Sequence, residues 1–104
     1  MQDLFSVKGK VALVTGGSRG IGEMIAAGYL ANDAKVYISS RKADVCEATA
    51  KRLVDNFGGE CHAIPADLSS VEGATYLAEE LGKREPQLDI LVNNAGASWG
   101  APLD

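Results

Sequence analysis

The sequence predicts an α/β fold, a doubly wound parallel sheet represented here by four strands in the order 3-2-1-4 and three helices. Three observations carry that expectation. Short β-branched runs alternate with helical periodicities between residues 10 and 92, and each intervening segment has the length of a helical crossover between parallel neighbours. A glycine-dense loop, Gly16 to Gly22, joins the first apolar run to the first helical pattern. The last run, residues 88–92 (LDILV), shows little polar alternation and suits a strand covered on both faces.

Taken in order, residues 10–15 (KVALVT) form the first strand. Ile21, Met24, Ile25 and Gly28 recur at i, i+3, i+4 and i+7, so an amphipathic helix follows the loop and ends near Asn32. Residues 35–39 (KVYIS) are the second strand. Ala50, Leu53, Val54 and Phe57 mark a second helix over residues 42–57, stopped by Gly58-Gly59. Residues 61–66 (CHAIPA) are a third strand, and Pro65, having no N–H, places it at a sheet edge or at the strand's end. Ser69-Ser70-Val71-Glu72 fits a capping box, after which Val71, Ala74, Ala78 and Leu81 line one face of a third helix running to Arg84. Pro86 then separates that helix from the fourth strand. Right-handed crossovers put the first two helices on one face, and a chain reversal sends the third to the other. The switch point lies between strands 1 and 4, and ligands bind outside the strands' carboxyl ends there.

Composition narrows the partners. The 104 residues, 46% apolar and 23% charged, bound the chain to one domain. A net charge of −4 with ten scattered basic residues argues against nucleic acid and anionic membranes. No apolar run approaches the roughly 18 residues of a membrane span, and the opening MQDLF lacks a basic region ahead of an apolar stretch, so a cytoplasmic protein is expected. Cys46 and Cys61, with only His62 nearby, are too few ligands for structural zinc; they read as free thiols, and no metal is expected.

The glycine loop carries the chemistry. Gly16 turns the chain sharply out of the sheet, Gly20 allows close backbone approach, and Gly22 lets helix and strand pack tightly. The free amides at the helix start, at the positive end of its dipole, suit a pyrophosphate. The spacing is neither a plain G-x-G-x-x-G nor a Walker loop. At the end of the second strand, where an Asp or Glu would hold unphosphorylated ribose, the chain has Ser39-Ser40-Arg41-Lys42. Arg41 can pair with a 2′-phosphate and Ser40 can donate to it, with Arg19 flanking the same group. The competing reading, cations solvating a helix start, is disfavoured by the helix dipole. Asp67-Leu68 suits an adenine amino group and ring face, although Asp67 reads equally as a turn residue. Asn93-Asn94-Ala95-Gly96 ends the fourth strand with two amides and small residues against which a ligand can lie.

Together, Thr15-Gly16-Gly17-Ser18-Arg19-Gly20-Ile21-Gly22, Asp67-Leu68 and Asn93-Asn94-Ala95-Gly96 resemble, in order and spacing, the classical short-chain dehydrogenases/reductases. The resemblance covers essentially the whole chain but only the amino-terminal part of that family's domain. It implies a Rossmann-type domain in which Gly16, Ser18, Arg19, Gly20 and Ile21 surround the cofactor phosphates and ribose. Asp67 and Leu68 would hold adenine, and Asn94, Ala95 and Gly96 would lie along the ribose and nicotinamide, with Asn93 bracing the sheet. The Ser40-Arg41 pair looks like the NADP-preferring version. Implied with it are NADPH chemistry on a small-molecule carbonyl or alcohol and a homo-oligomeric, tetrameric parent. Within the family the chain looks most like 3-oxoacyl-thioester (β-ketoacyl) reductases, including those linked to rhamnolipid synthesis. Ala97, Ser98 and Trp99 would at most begin a substrate wall.

That family's chemistry needs Tyr-x-x-x-Lys. Here Tyr29, Tyr37 and Tyr76 are followed four places on by Asp33, Arg41 and Glu80, so no catalytic residue is assigned. Residues 1–104 are therefore expected to be the amino-terminal, cofactor-binding part of one domain, inactive alone and without the catalytic carboxyl-terminal part. A stand-alone nucleotide-binding or interaction module without turnover is the alternative. A methyltransferase with an adenosyl cofactor would favour an acidic residue where Arg41 stands. With Ile90 to Val92 forming an apolar, unpaired edge, the isolated chain is expected to be poorly soluble or only marginally folded.

Overall fold

The computed structural model describes residues 6–16 and 20–94. Its elements are β1 (Val11–Thr15), α1 (Gly20–Ala31), β2 (Lys35–Ser39), α2 (Ala43–Phe57), β3 (Cys61–Ala63), α3 (Val71–Arg84) and β4 (Ile90–Asn93). Every strand pair is parallel and the order is β3-β2-β1-β4, as the sequence predicts. Alternation along the strands sorts the core into two layers. Val14, Val36 and Ile38 face Ala26 and Leu30 of α1 and Cys46, Ala50 and Leu53 of α2. Leu13 and Tyr37 face the other way, onto Ile64, Ala66, and Leu77 and Leu81 of α3. The first two helices thus share one face and the third takes the other. Cys46 and Cys61 are buried free thiols, and burial pushes Cys61 up to about 12, where it is chemically inert.

Five local expectations are corrected. On α1 the buried residues are Gly22, Ala26 and Leu30, while Ile21 and Met24 are 68% and 72% exposed. This helix is apolar nearly all round, so its periodicity left the register open, and the small residues win because they let the helix close on β1. On α3 the cap is Ser70, whose hydroxyl accepts from Gly73 N–H, and Ser69 instead donates through its N–H and hydroxyl to Asp67 Oδ1. A Gly at the third helical position removes the capping box's reciprocal acid. Val71, Ala74 and Ala78 stay exposed, the buried pair being Leu77 and Leu81.

The third strand stops at Ala63, yet Ile64 N–H still donates to Ile38 O and Ala66 N–H to Ser40 O. Pro65 falls between these donors, on the side facing away from β2, so it costs no ladder bond. Finally, β4 is the outer strand and is not covered on both faces: Leu91 is 60% exposed. The α3 side chains rest on Leu13, Tyr37 and Ile64, which leaves Leu91 open.

Polar ties fix the two ends of the sheet. Val11 N–H donates to Asp89 Oδ2 (2.8 Å) while Asp89 N–H donates to Val11 O (3.0 Å), setting β4 in register with β1. At the start of β2, Lys35 Nζ lies 2.7 Å from Glu85 Oε2, and the Tyr37 hydroxyl donates to the same oxygen at 2.6 Å. Those two donors, Lys35 first, hold the Glu85 carboxyl below its ordinary range, whereas burial pushes the Tyr37 hydroxyl up. The His62 ring packs at a tilt against the Tyr37 ring, centroids 5.3 Å apart, and is partnered by Glu60.

Candidate functional site

The register sets Thr15 beside both Ser39 and Asn93, so the carboxyl ends of β2, β1 and β4 stand in line. The Thr15 hydroxyl donates to Asn93 Oδ1 (3.0 Å), which makes Asn93 a brace of the sheet. Just past that line Gly16 leaves β1 at φ 70°, the left-handed region that favours glycine, and its N–H donates to Ser39 O (2.7 Å). A Cβ on Gly22 would strike Gly16 O and stand 2.9 Å from Asn94 Nδ2. Only a residue without a side chain lets the α1 start, the loop and Asn94 crowd together, which is the packing role the sequence assigned to Gly22.

A cleft of about 780 Å³ opens at these strand ends, and Gly16, Ser40, Arg41, Asp67 and Leu68 all line it. Ala66 N–H donates to Ser40 O (2.9 Å), which fixes the Ser40 backbone. Ser40 Oγ is buried and, among the described residues, has no hydrogen-bond partner, a costly state unless something polar meets it. The adjacent Cys46 thiol, pushed up by burial and eased down by Ser40, does not satisfy it with hydrogen-bond geometry. Arg41 and Lys42 are exposed, and Lys42 caps α2 without a side-chain hydrogen bond. Asp67 is held below its ordinary value by the Ser69 hydroxyl, then the Ser69 N–H, with the Arg41 guanidinium adding to the effect. Asp67 is therefore both a turn residue, through Oδ1, and a charged group at the cleft.

Of the remaining candidates, Gly20 and Ile21 open α1 and Asn94 touches the Gly22 position, but none of the three lines the cleft. Ser18, Arg19, Ala95 and Gly96 lie outside the described residues, as do Ala97, Ser98 and Trp99. Lys42 and an apolar wall from α3, Ala74, Leu77, Ala78 and Leu81, were not singled out as site residues. The alanines four apart were the available signal for that wall. Among the described residues no group of three His, Cys, Asp or Glu side chains could hold a metal ion, and no helix is long and apolar enough to cross a membrane.

Residues 10–104 match the family model described as short chain dehydrogenase. The chain belongs to that family. A relative of this short chain dehydrogenase, the rhamnolipids biosynthesis 3-oxoacyl-[acyl-carrier-protein] reductase of Pseudomonas aeruginosa, is 58% identical over 104 residues, all of this chain and 40% of the relative. Two solved structures share the fold. The Pseudomonas aeruginosa RhlG/NADP active-site complex matches with TM-score 0.83 and 56% identity over 90% of this chain and 37% of that one. L-sorbose reductase from Gluconobacter frateurii, complexed with NADPH and L-sorbose, matches with TM-score 0.82 and 34% identity over 86% and 34% of the two chains. The chain therefore spans 40% of the length of that curated reductase.

Proposed function

We propose that residues 1–104 form the amino-terminal, NADP(H)-binding part of a cytoplasmic, homo-oligomeric oxidoreductase, tetrameric like its family, that moves a hydride between NADPH and a carbonyl. A 3-oxoacyl thioester is the substrate class. The carrying observation is the end of β2, where an orphaned buried hydroxyl, Ser40 Oγ, stands next to the Arg41 cation at a cleft mouth. A phosphoryl oxygen satisfies both: the hydroxyl donates to it and the guanidinium pairs with it. A carboxylate at this position would repel that group.

The other roles are those the family resemblance implies. Gly16, Ser18, Arg19 and Gly20 would surround the cofactor phosphates, with the free amides at the start of α1 suiting the diphosphate. By that resemblance Ile21 would meet the cofactor's ribose, and Asn94, Ala95 and Gly96 would meet the ribose and nicotinamide. Asp67 accepts from the adenine amino group while Leu68 contacts the ring. When bound, the nicotinamide supplies the hydride. The chain's own residues orient and hold it. The identity to the Pseudomonas aeruginosa 3-oxoacyl reductase and the NADP and NADPH complexes among similar structures support this reading.

The test is turnover by the full-length protein that carries this chain. It should consume NADPH with a 3-oxoacyl thioester, and Arg41→Ala should raise KM for NADPH roughly tenfold to a hundredfold, the value of a lost charge-assisted bond, with kcat little changed. A full-length protein inert toward both nicotinamide cofactors contradicts the proposal.

A further inference from the structure

The start of α1 carries a charge conflict that the cofactor reading leaves unresolved. Glu23 stands in the first turn of the helix whose positive end faces the diphosphate. A carboxylate there stabilises a bare helix, but it repels an anionic ligand seeking the same dipole. The rise from Gly20 to Glu23 is about 4.5 Å along the axis, inside the roughly 8 Å screening length of physiological salt, so solvent ions do not remove the conflict.

A residue from the neighbouring helix does. Arg52 of α2 reaches across to Glu23, with Nη2 and Nε donating to Glu23 Oε2 at 2.9 and 3.3 Å. Arg52 Nη2 also donates to Thr49 Oγ1 (3.3 Å), which steadies the guanidinium on α2. The Glu23 side chain is 26% exposed and that of Arg52 is 50% exposed. An exposed ion pair of this kind adds little to stability. Both partners lie outside the cleft lining.

We infer that Arg52 is a positioning residue for cofactor binding: its guanidinium neutralises Glu23 and holds the carboxylate against α2. The inference rests on the proposed NADP(H) site and extends it to a residue 29 positions from Glu23 in sequence. It predicts opposite signs for the two halves of one ion pair. Arg52→Gln leaves Glu23 uncompensated and should weaken NADPH binding roughly two- to fivefold, the scale of one charge near a helix terminus. Glu23→Gln should bind NADPH at least as tightly as the unaltered protein, and the double variant should recover the loss.

The experiment titrates the full-length protein with NADPH and, separately, with adenosine 2′-monophosphate, which lacks the diphosphate. Expected results are the opposed NADPH effects, a larger Arg52→Gln loss at low salt than at high salt, and adenosine 2′-monophosphate affinity unchanged in all variants. Arg52→Lys, which keeps the charge, should bind NADPH like the unaltered protein. If Arg52→Gln proves too unstable to titrate, Arg52→Met, which keeps the length of the side chain and removes its charge, carries the same prediction and the same contrary outcome. Equal weakening by Glu23→Gln and Arg52→Gln, a parallel loss of adenosine 2′-monophosphate, or an unaffected Arg52→Gln would make the pair a plain staple between helices and overturn the inference. An unaltered protein that binds no NADPH would overturn the cofactor reading beneath it as well.

Discussion

The two faces of the sheet are finished to different degrees. On the α1 and α2 side, Val14, Val36 and Ile38 are fully buried under two helices. On the α3 side one helix rests on Leu13, Tyr37 and Ile64, while Leu91 is 60% and Leu88 36% exposed. The difference separates two jobs. The closed face gives rigid support to the Gly16 turn and the Ser40-Arg41 corner, the support that a precise binding constellation needs. The open face extends the cleft as an apolar trough between α3 and β4, and this surface is where added chain, ligand or another molecule would find hydrophobic gain.

Substitutions can break that contrast. Leu53→Ala, deep in the closed face, should cost about 2–5 kcal/mol in denaturant melts, from lost burial plus a cavity. Gly22→Ala forces a Cβ into Gly16 O, so a loss of about 1–3 kcal/mol should accompany weaker NADPH binding. Tyr37→Phe removes one of two donors to Glu85 and should cost about 1 kcal/mol, measured the same way.

The same carboxylate gives a pH signature. Because the folded Glu85 value lies below the ordinary 4.5, its contribution is present above that pH and is lost as pH falls through the folded value. Melting temperature should therefore drop less steeply below about pH 4.5 in Glu85→Gln than in the unaltered protein. Smallest is the effect on the open face: Leu91→Thr should shift stability by no more than about 0.5 kcal/mol while improving solubility, read by light scattering. A Leu91→Thr penalty equal to that of Leu53→Ala would erase the contrast.

Sequence legibility follows the same division. Strand order, helix count and the side of the sheet each helix takes were readable because alternation in KVALVT and KVYIS and the crossover lengths admit few other arrangements. The α1 register was not, since Ile21, Met24, Ile25 and Ala26 offer apolar residues in every direction and only contact with β1 chooses Gly22 and Ala26. The open side of β4 was hidden as well: LDILV has the pattern of a doubly covered strand, and coverage depends on what packs there rather than on the run itself. In the candidate site, Gly16, Ser40, Arg41, Asp67 and Leu68 were legible because strand ends fix where such residues converge. The Arg52–Glu23 pair was not, because it joins two helices whose relative rotation no local pattern specifies.

The central claim is that the corner after β2 selects a phosphorylated ribose. Calorimetric titration of the full-length protein with NADPH and NADH, repeated on Arg41→Ser, tests it most directly. The account predicts NADPH binding roughly tenfold or more tighter than NADH, with that advantage largely abolished by the substitution. Equal affinities, a preference for NADH, or an NADPH advantage that survives loss of Arg41 would contradict it.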